Sequence, residues 1–236
     1  MIPHRSRTDR YIPAYLPWPV IVGATRRSSG MRITILGMGT MAGALGGRWV
    51  RAGHEVTVAG RSSARARELA ARLGERARST TMREAVIGAE AVLLAVSWTG
   101  VREVLHSVAG ALDGTTLIDP TNSSEHGIGV LTLPAGDSGA QRIAELAPNA
   151  HVVKAFHLFP AEQWSNPNSP SVTVALCGDD PHAVRTTETL VRDAGAEPAV
   201  LGGLDRARQL EEAAGFVIGL AFRGFDPRSA IPHGPA

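Results

Sequence analysis

The chain has 236 residues, 44% of them hydrophobic, enough to bury a substantial core in one compact domain with a modest appendage. Its 24 basic and 22 acidic side chains are unevenly spread: residues 1–30 hold five arginines against Asp9, so the remainder, with 19 basic and 21 acidic residues, offers no footprint for nucleic acid. One cysteine, Cys177, excludes an internal disulfide and fits a reducing cytoplasm; at the end of an apolar strand it reads as a buried structural thiol.

Residues 1–30 combine basic residues with the apolar patch IPAYLPWPVIVGA. Pro13, Pro17 and Pro19 break any helix there, and the patch is too short to span a bilayer. The segment is read as a flexible arm or an over-extended start, and no membrane partner is expected. From Met31 the sequence reads MRITILGMGTMAGALGGRWVRAG, a short apolar strand opening onto glycines and then an apolar helix. Gly37, Gly39 and Ala42 give the spacing G-x-G-x-x-A at that turn. The first glycine permits the tight turn, the second lets the backbone approach a pyrophosphate, and Ala42 allows helix to pack on strand. The helix begins near Thr40, so its free N–H groups and positive end face the phosphates.

A second strand, Glu55–Ala59, ends in Gly60, Arg61, Ser62 and Ser63. An acidic residue at this point would accept from a free ribose 2′-hydroxyl. A small residue followed by a guanidinium and hydroxyls instead suits a 2′-phosphate, so NADP is the expected dinucleotide. Arg65 and Arg67 add positive field on the next helix. Further strands are predicted at Ala91–Val96, Thr115–Asp119, His151–Phe156, Ser171–Cys177 and Pro198–Leu201, with a short one at Arg78–Thr81. Helices are predicted at Thr40–Ala52, Ala64–Leu73, Met82–Val86, Val101–Ala111, Gly139–Leu146, Pro181–Ala194 and Leu204–Phe222. Continuous apolar runs such as AVLLAV fit a parallel sheet covered on both faces, with right-handed crossovers. In the last helix Leu210, Ala214, Val217, Ile218 and Ala221 form one apolar stripe. The expected divisions are an arm at 1–30, an NADP-binding domain with a small helical cap at 31–223, and a Pro- and Gly-rich disordered tail at 224–236.

These segments resemble the NADPH-dependent reductases of the deazaflavin coenzyme F420, from Met31 to about Phe222. The most specific elements are GMGTMAG, GRS after the second strand, LLAVSW, DPTN, VVKAF and the closing RARQLEEAAGFVIGLAF. The resemblance implies an α/β fold, a doubly wound Rossmann-type, mostly parallel sheet with a small C-terminal α/β extension. It implies hydride transfer between NADP(H) and coenzyme F420 or a related planar acceptor. Thr40 and Met41 would then contact the pyrophosphate, and Arg61 and Ser62 the 2′-phosphate. Val96, Ser97 and Trp98 would follow the path from adenosine to nicotinamide, while Asn122, His157 and Leu158 would line the nicotinamide pocket. Two positions at the substrate edge depart from the family: His157, where Asn often follows K-A-F, and Ser123, where proline commonly follows the Asn.

Hydride transfer between planar rings demands stacking and distance control more than acid or base side chains. No Ser–His–Asp order, paired carboxylates or clustered Cys and His mark a hydrolytic or metal site. His157 ends a buried strand at the substrate edge and is the candidate catalytic residue, to hydrogen-bond the acceptor or hand over a proton; a packing role stays open. Lys154 in the same strand pairs either with a backbone group or with a phosphate. Two other functions share the nucleotide half. An NADPH-dependent reductase of a small carbonyl or imine would normally add a positioned Lys, Tyr or Asp and a larger substrate domain. A non-catalytic NADP sensor would have its nicotinamide pocket closed by bulky residues such as Phe159 and Trp164. A homodimer is expected if the apolar stripe and aromatic loop are otherwise exposed.

Overall fold

The structure, a computed structural model, describes residues 30–125 and 127–231. The expected arm, Gly30 apart, and the last five residues of the expected tail therefore lie outside the described residues. Strand β1 (Arg32–Leu36) opens the fold with side chains buried on both faces after Arg32. Helix α1 (Thr40–Ala52) buries Ala42, Leu45 and Trp49 along one stripe. It stops at Gly53, whose left-handed φ of 102° lets its N–H reach the Trp49 and Val50 carbonyls. β2 (Glu55–Ala59) leads to α2 (Ser63–Leu73), capped by the Ser62 hydroxyl accepting from the Arg65 N–H. β3 (Ala77–Ser79) and α3 (Met82–Val86) follow, the latter opened by a capping box between Thr81 and Glu84. Then come β4 (Ala91–Leu94), α4 (Val101–Ser107), β5 (Thr116–Asp119), α5 (Gly139–Leu146), β6 (His151–Lys154) and α6 (Ala161–Ser165). The chain closes with β7 (Thr173–Gly178), α7 (Pro181–Asp193), β8 (Glu197–Val200) and α8 (Ala207–Phe222).

All eight strands form one sheet in the order β3-β2-β1-β4-β5-β6-β7-β8, parallel except where β7 runs against β6. Helices cover both faces. One apolar layer joins α1, α2 and α7 to the sheet around Trp49, Phe156 and Trp164; the other joins α3, α4, α5 and α8 around Leu94, Leu105 and Leu117. This is the doubly wound Rossmann-type sheet of the α/β class, and its strand order reverses between β1 and β4, where the ends of both strands open a crevice.

Five elements differ from expectation. The strands predicted to Val96 and Phe156 stop at Leu94 and Lys154, because both chains leave the ladder at its C-terminal edge to build loops. The helix predicted to Ala111 ends at Ser107, and Gly110 turns the chain with φ 75°. α6 was not foreseen. Within the tail expected to be disordered from Gly224, Pro227–Ala230 forms a 3-10 turn capped by Asp226, a correction for those residues.

Candidate active site

The turn between β1 and α1 is held shut by backbone. Gly37 donates its N–H to the Ala59 carbonyl at 2.8 Å and has φ 132°, and a Cβ there would lie 2.0 Å from the Ala95 carbonyl oxygen. Gly39 is the reverse case: a Cβ would meet nothing within 4 Å, so the backbone borders open space. No side chain caps the N-terminus of α1, which leaves its first N–H groups aimed at that space, the arrangement that binds phosphate. Thr40 lines an adjoining ≈480 Å³ cleft between α1, α2 and α6. Met41 packs against the core and Ala42 is fully buried where helix meets strand, so neither side chain lines a cleft and Met41 can serve a pyrophosphate only through its backbone.

On the β2 side of the crevice, Gly37, Gly60, Arg61, Arg65, Met82, Val96, Ser97 and Glu103 enclose a cleft of ≈220 Å³. Apolar walls with arginines at the mouth fit an adenosine carrying a 2′-phosphate. The Arg61 guanidinium lies 3.5 Å from the Glu103 carboxylate of α4, and both side chains are exposed. Ser62 spends its oxygen on capping α2 and does not line this cleft. Arg67 bonds to the Ser63 carbonyl and stands apart from it as well. On the β5 side a larger cleft of ≈910 Å³ is lined by Val96, Ser97, Trp98, Pro120, Thr121, Asn122, Ile218 and Phe222. Val96 and Ser97 border both clefts and make them one path across the sheet edge.

Beneath this path lies a polar cluster with no exposure. Lys154 Nζ donates to Asp119 at 2.9 Å and meets Glu211 at 3.1 Å, and it also bonds the Thr121 carbonyl. Asp119 accepts from the Thr121 N–H and hydroxyl; Glu211 accepts from the Ser123 hydroxyl and the Gly139 and Ala140 N–H groups at the start of α5. Burial alone would lower the lysine pKa, but the two carboxylates together raise it, so Lys154 stays charged. Of the two partners open to it in the sequence, it takes the backbone one, and two carboxylates besides. The cluster ties β5, β6, α5 and α8 to the loop carrying Asn122, and each member is satisfied.

His157 does not face the cleft. Its ring is 6% exposed under α8, and its pKa is pushed down to about 3 by burial first and by the Lys154 charge second, against one backbone hydrogen bond to Leu210. A neutral, enclosed imidazole is a poor general acid at neutral pH, which speaks against the proton-transfer role expected of it; its remaining N–H leaves the hydrogen-bonding role untouched. Its carbonyl does serve the site, accepting from Asn122 Nδ2 at 2.8 Å. Phe159 and Trp164 do not close the pocket either. They stack edge-on, with Phe156 joining them, and Trp164 is buried in the core. Cys177 is buried and its thiol pushed up to about 12 by that burial, which leaves it inert. Glu103 and the Lys154 cluster are the elements that sequence reasoning missed. Glu211 carried one usable signal, since it falls on the same helix face as Ala207, Leu210 and Ala214, where a carboxylate needs a buried partner.

Fold and crevice define the class: a doubly wound α/β protein with a crevice at the switch point of its sheet, the place where such folds bind ligands. Residues 32–123 match the model of the family described as NADP oxidoreductase, coenzyme F420-dependent. Among solved structures, a protein of Arthrobacter sp. FB24 named as a candidate F420-dependent NADP reductase superposes with a TM-score of 0.72 at 24% identity, covering 84% of this chain and 97% of its own. The hypothetical protein SMa0349 of Sinorhizobium meliloti matches with a TM-score of 0.64 at 25% identity, over 76% of this chain and 89% of that one. A reductive aminase from Aspergillus terreus, solved with NADPH, gives a TM-score of 0.61 at 20% identity over 83% of this chain and 64% of its own. Among the described residues no helix is long and apolar enough to cross a membrane, and no group of three His, Cys, Asp or Glu could hold a metal.

Proposed function

We propose that the protein is an NADP(H)-dependent oxidoreductase that moves hydride between NADP(H) and the deazaflavin coenzyme F420 or a related planar acceptor. One observation carries this reading: two clefts that adjoin at Val96 and Ser97, the first lined by Arg61 and by Gly39 at the uncapped N-terminus of α1, the second with ≈910 Å³ of room for a second flat ring. Gly37, Gly39, Thr40 and the Met41 backbone hold the pyrophosphate; Arg61, with Arg65, holds the 2′-phosphate, and Ser62 supports them by fixing the start of α2. Val96, Ser97 and Trp98 line the way to the nicotinamide, which Asn122 borders. When bound, NADPH supplies the hydride, and a solvent proton completes the reduction of the acceptor. The chain's own contribution is positioning: Asn122 is fixed by the His157 carbonyl, and Trp98 offers an aromatic wall beside the rings.

A lone buried, protonated thiol suits a cytoplasmic setting. Exposed Ile128, Val130 and Phe216, where the 127–130 loop meets α8, favour a homodimer. The test mixes the protein with NADPH and oxidised deazaflavin and follows the deazaflavin absorbance. Turnover supports the reading. Tight NADPH binding without turnover would replace the acceptor, and a carbonyl and imine panel then separates the reductase alternative from a sensor. The likeness to the reductive aminase is what keeps the imine reading in view.

A further inference from the structure

We propose that Glu103 is the anion that occupies Arg61 when no nucleotide is bound, and that its competition with the 2′-phosphate sets how tightly the phosphorylated dinucleotide is held. The inference rests on the reading of the cleft as an NADP site. Arg61 leaves the end of β2 and Glu103 sits in the first turn of α4, on the opposite wall of the same cleft. Their charged groups meet at 3.5 Å across its mouth, with side-chain exposures of 75% and 65%. A pair so exposed contributes little to folding, so its consequence lies in what it does to the cleft. Among the described residues lining that cleft Glu103 is the one acid, set against Arg61 and Arg65.

A 2′-phosphate arriving at Arg61 must take the guanidinium from Glu103 and then remain beside that carboxylate. Both effects oppose a dinucleotide with the phosphate. Neither opposes one with a free 2′-hydroxyl, which needs no cation and can donate to a carboxylate. Glu103 therefore weakens the very discrimination that Arg61 provides. The gain is release: a carboxylate ready to reclaim the guanidinium shortens the residence of a spent dinucleotide.

Equilibrium titrations of the full chain test this with NADPH, NADH and adenosine 2′,5′-bisphosphate, the last carrying the 2′-phosphate without the nicotinamide. Glu103→Gln should tighten NADPH and the bisphosphate about threefold to tenfold and move NADH by less than about twofold. In an Arg61→Ala background the same substitution should gain less than about twofold, because no guanidinium is left to compete for. Unchanged or weakened NADPH binding in Glu103→Gln overturns the proposal. So does an undiminished gain without Arg61, which would leave only repulsion through space. If the unaltered protein takes up none of the three ligands, the NADP reading itself fails. If it binds NADPH well and Glu103→Gln changes nothing, only the competition is lost.

Discussion

Gly37 and Gly39 stand two positions apart in one turn, yet a side chain fails at each for a different reason. At Gly37 a Cβ would sit 2.0 Å from a carbonyl oxygen and φ is 132°, so any substitution strains the fold. At Gly39 the backbone is extended, with φ −82° and ψ −171°, and nothing surrounds the missing Cβ. Gly39→Val should therefore leave the thermal midpoint within a few degrees and abolish NADPH binding by calorimetry; undiminished binding would make the turn purely structural. His157 supports a second expectation. Its pKa is about 3 in the fold against an ordinary 6.5, so below pH 6.5 the unfolded chain takes up a proton that the fold refuses. Stability is thus full above pH 6.5 and falls as pH drops toward 3, by roughly 2 kcal/mol at pH 5. Urea titrations at pH 7.5 and 5 should show a smaller loss for His157→Asn, and equal losses would refute the assignment. The placement of Gly37, Gly39 and Arg61 at the crevice is legible in the sequence because it follows from immediate neighbours. Glu103 is not, since its meaning arises only when α4 comes to rest across from the end of β2.

At the scale of elements, the Lys154 cluster decides how the cleft loop is held. β5 ends in Asp119 and β6 in Lys154, side by side in the register of the sheet, and α8 brings Glu211 onto both. Thr121 and Ser123 are bonded directly to this cluster, so the loop carrying Asn122 is fixed from below. Lys154→Met would leave two buried carboxylates without their cation, a loss of about 3–5 kcal/mol in denaturant titration. Adding Glu211→Gln should recover part of that loss, because one uncompensated charge is gone; losses that simply add would mean the ion pairs are not what holds the loop. The raised lysine pKa sets the other limit, since its share of stability is complete below its ordinary 10.5 and fades only as pH climbs through the higher folded value. The strands bearing Asp119 and Lys154 can be read from apolar runs, but pairing them requires the sheet order. α6 gives even less signal, five residues between Pro160 and Asn166 that become a helix by packing on α1 through Trp164.

Over the whole molecule, alternating strands and helices make the parallel half of the sheet legible, whereas the antiparallel entry of β7 is not. It depends on how residues 155–172 carry the chain back along the edge of β6, which no local pattern encodes. The proposed nucleotide path crosses the ends of β1, β4 and β5, strands that carry one apolar layer under α1 and a second under α4 on the opposite face. A ligand bound there therefore stabilises the body as one unit. At 100 times its dissociation constant, NADPH should add about 2.7 kcal/mol and raise the thermal midpoint by roughly 5–10 °C. NADH at the same concentration should raise it less, in proportion to its weaker hold on Arg61. The first anchor of the described fold is the Met31 N–H, which donates to the buried His54 ring at 3.0 Å, and that ring also contacts Asp193 at the end of α7. A chain beginning at Gly30 keeps that anchor, and it should show the same midpoint and the same NADPH shift in a scanning calorimeter. A lost shift with an unchanged midpoint would assign residues 1–29 to nucleotide binding, while a lowered midpoint would make them part of the folded body.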